Sequence, residues 1–315
     1  MHTLSKFEQN VSLVDKNWFR VGGSARYFIE PKTEQEFGDV LRLAREHGLK
    51  TVIIGDGANS LVSDAGFDGL VIRPAIKDIM FDGQDQVICG AGVLVQELID
   101  ACLDKNLVGL EEFSGIPGSV GGSVFINIHY FSGFFADFIV GARVIDKDTG
   151  VSMSVDKTWF NFGYDTSKLH EGQYYVTQAT FKLKKTDVLG GAYAQGARDQ
   201  IIRHRNSRYP TERTCGSFFR NFHDHEITHL VNGKKLPFTA YYLDKIGVKG
   251  SLCVGKACVS HKHANMIVTS PGATAQDVID LARKMQELVY NEFGMIPQAE
   301  CQFIGFDGYP LHTKL

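Results

Sequence analysis

The chain has 315 residues, 43% of them hydrophobic and 22% charged, with a net charge of −3. At roughly 100–200 residues per domain this predicts two or three domains, with enough apolar material for sizeable cores. Interspersed charges give no general basic footprint for nucleic acid, and no stretch approaches the ~20 apolar residues of a membrane span.

The opening residues Met1 to Lys6 lack a basic region followed by an apolar core, so a cytoplasmic protein is expected. Cysteines at 89, 102, 215, 253, 258 and 301 include no C-x-x-C pair and read as free, partly buried thiols. Cys253, Cys258, His261 and His263 lie close in sequence, but their spacing fits none of the paired-ligand patterns of a zinc site.

Along the chain, Thr33 to Glu36 has the form of a capping box, and Phe37, Val40, Leu41 and Ala44 follow at helical spacing as far as His47. Thr51 to Ile54 reads as a buried strand, out of which Gly55, Asp56, Gly57, Ala58, Asn59, Ser60 and Leu61 turn sharply. Strand Leu70 to Arg73 completes a first lobe. Gln86 to Gly90 predicts another strand, and Leu94 to Lys105 a helix with Leu94, Leu98, Cys102 and Leu107 as its apolar side.

Gly115, Ile116, Pro117, Gly118, Ser119, Val120, Gly121 and Gly122 then place four glycines and a proline in eight residues, running into an apolar, strand-like segment that ends at Asn127. Such a run is either a structural turn or a place where bare backbone N–H groups line a concavity suited to a diphosphate. The second glycine element at 55–61 shifts the balance towards the cradle. Neither element matches G-x-G-x-x-G opening a helix or the G-x-x-x-x-G-K-S/T phosphate loop, so a nucleotide would be held between strands and loops.

Strands are predicted near Phe138 to Asp146, at Val151 to Val155, and up to Lys184, where Ala179, Phe181 and Leu183 share a face opposite Gln178, Thr180 and Lys182. Thr186 to Gly191 is the expected domain boundary, before a helix beginning near Ala192. The basic run Arg198 to Arg213 reads as a solvated helix face and loop; in the alternative reading Arg203, Arg205, Arg208 or Arg213 helps to hold a phosphate. Asn232 to Lys235 predicts a tight turn, Tyr241 to Gly247 a short helix, and Thr274 to Phe293 a long helix with Val278, Leu281, Ala282, Met285, Leu288, Val289 and Phe293 as its buried stripe. Strands with one helix per lobe, then a separate mixed unit, indicate an α+β protein and not a doubly wound sheet.

Four further segments join the two glycine elements in a fixed order: Asn17 to Phe28, Cys215 to Asn221, Val259 to Asn265 and Glu300 to Gly305. Together they resemble the UDP-N-acetylenolpyruvoylglucosamine reductase family over nearly the whole chain. The resemblance implies a two-lobed FAD-binding domain of the vanillyl-alcohol-oxidase (PCMH) type, lobes 1–74 and 75–187, followed by an α/β substrate-binding domain over 188–296. The last segment, 297–315, would return as a strand to the flavin.

It also implies non-covalent FAD, NADPH as reductant, and a UDP-sugar substrate in peptidoglycan precursor synthesis. The expected FAD contacts are Gly55, Asp56, Gly57, Ala58, Asn59, Ser60, Leu61, Gly115, Ile116, Gly118, Ser119, Gly121, Gly122 and Asn127. Ser217 stands at the family's proton-donor position and Glu300 at its catalytic glutamate. Tyr164, Arg220, Asn221 and Lys262 are the expected substrate contacts, Arg220 replacing a family lysine.

Three departures accompany these matches. Asp165 stands where the family has an arginine facing the substrate's negative charge, leaving Lys168, Arg220, Lys245 and Lys262 as candidate substitutes. Ile128 to Phe131 is bulky where small residues are usual, so either it repacks locally or His129 or Tyr130 lines the site. The segment Phe222 to Gly250 is unlike the common short connection and offers Tyr241 or Tyr242 as a nucleotide contact. A different substrate on the same flavin fold, or a non-catalytic flavin-binding regulator, are the alternatives these departures leave open.

Overall fold

Helix α1, Glu34–Glu46, starts as the sequence predicts: the Thr33 hydroxyl accepts from the Glu36 N–H, and Lys32 N–H donates to the Glu36 carboxylate at 2.7 Å. The first bond satisfies one N–H that a first helical turn leaves without an intrahelical partner; the second takes the N–H of Lys32, one residue before the cap, so the reciprocal half of the predicted capping box falls one residue early. Its buried side, Phe37, Val40, Leu41 and Ala44, packs on Leu70 and Ile72 of the strand Phe67–Ile72. The computed structural model describes residues 4–130 and 133–315, so Phe131 of the bulky segment lies outside the described residues.

Two units emerge, each assembled from non-contiguous segments. The first comprises Met1–Gln9, Tyr27–Asp56 and Gly69–Arg205; the second comprises Asn10–Arg26, Gly57–Asp68 and Asn206–Leu315.

In the first unit an antiparallel sheet runs in the order Ser152–Asp156, Ile139–Asp146, Tyr174–Lys182, Gln86–Gly90, Ile79–Phe81. The predicted alternation holds along its central strand and just beyond it, where Ala179, Phe181 and Leu183 are buried while Lys182 is exposed. Helices α2, Val95–Leu103, and α3, Val120–Ile126, share one core with that buried face. Burial pushes the Cys89 and Cys102 thiols up, which removes them as nucleophiles near neutral pH.

Helix α3 corrects the strand-like reading of the residues before Asn127. The Ser119 hydroxyl caps it by accepting from the Gly122 N–H at 3.3 Å, and Asn127 ends it in the left-handed region at φ 53°. Val120, Val124 and Ile126 have the composition of a buried strand, but a cap at one end and a left-handed stop at the other decide the local structure. Helix α4, Val188–Arg208, begins earlier than expected, because the Asp187 carboxylate accepts from the Gly190 N–H at 2.7 Å. The stretch 186–191 is therefore an entry into a helix, and the change of unit falls between Arg205 and Asn206.

The second unit contains α5, Thr239–Lys245, and α6, Ala275–Phe293, beside an antiparallel sheet of Cys253–Val254, Ala257–Val259 and Ile267–Thr269. Thr274 and Asp277 form the capping box of α6 and Gly294 ends it at φ 68°. Val278, Leu281, Ala282, Met285 and Val289 are fully buried, as the stripe predicts. Among them Gln286 is also fully buried, donating to the carbonyls of Pro297 and His312 and so tying the tail to the helix.

One correction concerns the thiols. Cys253 and Cys258 sit directly opposite each other on neighbouring strands, Cα atoms 4.1 Å apart, and form a disulfide, while Cys89, Cys102, Cys215 and Cys301 are free and buried. Asn232 and Gly233 make the predicted tight turn, both with positive φ. Tyr242 is a core residue whose hydroxyl donates to the Leu236 carbonyl, which removes it as a nucleotide contact.

Candidate functional site

Within the first unit the two glycine elements meet. A Cβ on Gly55 would fall 2.4 Å from the Ser119 Oγ, so the approach of these segments depends on the missing side chain. The first N–H groups of α3 are already committed, Val120 to the Val93 carbonyl, Gly121 to the Ala91 carbonyl and Gly122 to Ser119. What remains open lies before the helix: among the described residues the N–H groups of Gly55, Gly118 and Ser119 find no acceptor. Gly118, at φ 136°, has only the Ser123 hydroxyl near its Cβ position, 3.9 Å away. Bare N–H groups of this kind, on segments that approach closely, suit an anionic diphosphate.

Other members of the predicted cradle have structural duties. The Gly115 N–H donates to Gln96 at 2.9 Å, that of Ile116 to the Phe113 carbonyl, and Gly121 packs on Ala91. Asn127 is buried with both ends of its amide used, donating to the Gly163 carbonyl at 2.9 Å and accepting from the Ala136 N–H at 3.0 Å. Its side chain clamps the turn that carries Tyr164 and Asp165. Arg205 lies against Gly115 and over the Tyr130 ring at 5.3 Å, whereas Arg198 pairs with Asp100 and Asp199.

Asp165 sits at the tip of that turn with φ 52°, its side chain only 9% exposed. Its neighbour is a histidine: His129 Nδ1 lies 3.3 Å from the carboxylate, and the imidazole packs on Tyr164, ring centroids 4.8 Å apart. Each of the four candidate cations is engaged within its own unit. Lys168 rests over Trp159 at 4.9 Å, and Lys245 over Tyr241 at 5.5 Å. Arg220 makes a two-pronged pair with Glu226, and Lys262 donates to the carbonyls of Asn206 and Tyr209 near the end of α4.

In the second unit, backbone hydrogen bonds bring four distant segments into one clasp. Phe218 N–H donates to the Asn265 carbonyl, while its own carbonyl accepts from the N–H of Glu300 at 2.9 Å. The Asn59 amide donates to the Glu300 carbonyl at 3.2 Å, and Asn59 O accepts from the Gln302 N–H. Ser60 and Leu61 continue this contact as the parallel pairing of Ser60–Val62 with Gln302–Ile304, so they serve register. Ser217, just after Gly216 at φ 81°, bridges to Met266, and among the described residues its hydroxyl has no partner. The N–H groups of Gly57, Ala58 and Asn59 likewise find no acceptor among the described residues.

Asn265 is the residue the sequence reading passed over. Buried, it accepts from the Phe219 N–H at 3.1 Å and donates to the Phe219 carbonyl at 2.7 Å, fixing the strand that carries Ser217 and Arg220. Cys215 and Cys301 lie in side-chain contact in the same clasp, and burial first, then that contact, pushes the Cys215 thiol up. Arg220, expected to bind substrate, is held by Glu226, whose carboxyl the guanidinium keeps below its ordinary range against the opposing effect of burial. Asn221 lends its carbonyl to the same guanidinium.

Residues 25–154 match the model of an FAD binding domain, and residues 208–304 match that of the UDP-N-acetylenolpyruvoylglucosamine reductase C-terminal domain. Fold and matches together define a flavoprotein: α+β, with an FAD-binding domain of the vanillyl-alcohol-oxidase type followed by a substrate domain.

The UDP-N-acetylenolpyruvoylglucosamine reductase of Caldicellulosiruptor saccharolyticus is 31% identical over 308 residues, spanning 97% of this chain and 94% of that protein. That of Clostridium botulinum strain Hall is 34% identical over 292 residues, spanning 91% and 89%. The crystal structure of UDP-N-acetylenolpyruvylglucosamine reductase from Thermus caldophilus superposes with a TM-score of 0.74 at 29% identity, covering 95% of this chain and 98% of that one. The chain belongs to the UDP-N-acetylenolpyruvoylglucosamine reductase family. Among the described residues no helix is long and apolar enough to cross a membrane, and no group of side chains is arranged to hold a metal.

Proposed function

We propose that this chain reduces UDP-N-acetylglucosamine enolpyruvate to UDP-N-acetylmuramate, with non-covalent FAD as cofactor and NADPH as reductant, in peptidoglycan precursor synthesis. The observation that carries the reading is the hydroxyl of Ser217, without a partner among the described residues, on an extended segment whose backbone is bonded to that of Glu300 through Phe218. NADPH and nucleotide sugars are cytoplasmic metabolites, so the reaction is assigned to the cytoplasm.

Saturating an enolpyruvyl ether needs hydride at the terminal carbon and a proton at the carbon beside the carboxylate. Bound flavin supplies the hydride. The N–H groups of Gly55, Gly118 and Ser119 are the donors that the first unit offers to its diphosphate.

Ser217 delivers the proton. A hydroxyl is a weak acid, so it serves only when held in hydrogen-bond reach of a basic carbon, and the Phe218–Asn265 and Phe218–Glu300 bonds give its strand little freedom. Glu300 acts at the carboxylate end. Tyr164 and Asn221 contact the nucleotide sugar; Arg220 and Lys262 work as positioning residues through Glu226 and the end of α4.

Anaerobic stopped-flow mixing tests the assignment. Ser217→Ala should be reduced by NADPH at the wild-type rate and then reoxidise with the enolpyruvyl nucleotide at least about 10²-fold more slowly, the range expected for loss of a general acid. Unimpaired reoxidation would remove Ser217 from the role.

A further inference from the structure

His129 and Asp165 form a pair that the cradle and the clasp leave unused. Neither carboxylate oxygen of Asp165 accepts a conventional hydrogen bond among the described residues, although both are shielded from solvent; His170 is near enough to feel the carboxylate's charge, and His129 Nδ1 lies 3.3 Å away. A buried carboxylate without a donor is strongly disfavoured, so the Nδ1 proton is assigned to this contact. The ring is confined between Tyr164 and Phe134, with centroids 4.8 and 5.8 Å away.

That leaves Nε2, which has no partner among the described residues, on a side chain 23% exposed. An imidazole can donate from both ring nitrogens, so with Asp165 taken up at Nδ1 an Nε2–H is what the ring offers to an anionic ligand atom. The frame is stiff: Asn127, two residues before His129, clamps both Gly163 and Ala136.

We infer that His129 recognises the carboxylate of the substrate's enolpyruvyl group through Nε2, and that Asp165 is its positioning partner. This rests on the reaction proposed above and names the residue that sets its preference for an acid.

The test compares wild type, His129→Gln and Asp165→Asn in the two half-reactions, using the enolpyruvyl nucleotide and its carboxyl methyl ester. Flavin reduction by NADPH should stay within about twofold in all three, while reoxidation by the free acid falls by about 10- to 100-fold in His129→Gln, the range for losing a charge-assisted hydrogen bond. The wild-type preference for acid over ester should shrink towards unity in His129→Gln and partway in Asp165→Asn.

Variants that keep the wild-type rate and preference, or that lose both half-reactions together, overturn the inference. If His129→Gln fails to bind flavin, the near-isosteric Asp165→Asn decides alone by its acid-to-ester ratio. A wild type that is reduced by NADPH but not reoxidised by the nucleotide defeats the proposed reaction itself, and this inference with it. An active wild type with indifferent variants defeats only the role of His129.

Discussion

The glycine cradle of the first unit and the Ser217 clasp of the second solve opposite problems. The cradle works by leaving things out: side chains are missing at 55 and 118, and the neighbouring N–H groups are left without acceptors. In the clasp the backbone groups of Phe218, Phe219 and Glu300 and the carbonyl of Asn59 are engaged so that one hydroxyl stands in a fixed place. One site is therefore sensitive to added atoms and the other to lost bonds.

The sharpest way to break that contrast is Gly55→Val. Gly55 is not left-handed, so the substitution tests the clash with Ser119 alone. FAD affinity should fall by at least about 10²-fold, because overpacking costs about 1–3 kcal/mol and closes the cradle as well. Flavin titration of folded protein, checked by circular dichroism, measures it; tight flavin binding would refute the close approach.

Removing bonds from the clasp should act on stability first. Asn265→Ala strands the N–H and carbonyl of Phe219 in a buried place, a loss of about 2–4 kcal/mol. Urea unfolding checks this, and a change below about 0.5 kcal/mol would mean that the segment relaxes freely.

The smallest effect concerns pH. Burial, then the charges of Arg208 and Lys249, lowers His263 from 6.5 to about 4. Between those values the unfolded chain takes a proton that the folded one refuses, so stability is full above pH 6.5 and falls as the solution is acidified towards about 4. In His263→Gln the decline over that window should flatten by about 1–3 kcal/mol, which chemical denaturation at several pH values reads directly.

Features encoded locally were legible in the sequence. The Thr33 cap, the long helix after Thr274, the alternation from Gln178 to Leu183 and the Asn232–Gly233 turn rest on residues within a few positions of one another. Helix α3 was hidden because its apolar, partly β-branched residues mimic a strand, and only the Ser119 cap and Asn127 stop betray it.

Contacts across long separations could not be read. Glu226 beside Arg220 carries no spacing signal, and the Cys253–Cys258 bridge needs the knowledge that Gly255 and Lys256 turn one strand onto the next. Of the site, Ser217 and Glu300 were named from motif resemblance, whereas Asn265 and the pairing of His129 with Asp165 required the fold.

The pairing of Ser60–Val62 with Gln302–Ile304 has a consequence for how the protein is born. Asn59 and Glu300, joined by a hydrogen bond, are 241 residues apart. At about 5–20 residues per second a ribosome needs roughly ten seconds to a minute to cover that distance. For that interval the strand Ser60–Val62 lacks its paired strand, and Ser217, the serine proposed to donate the proton, has no Glu300 beside it. Closing so long a loop comes late and slowly. The parts of the glycine cradle can gather well before the clasp can close, and a polypeptide released short of residue 302 would lack the clasp altogether.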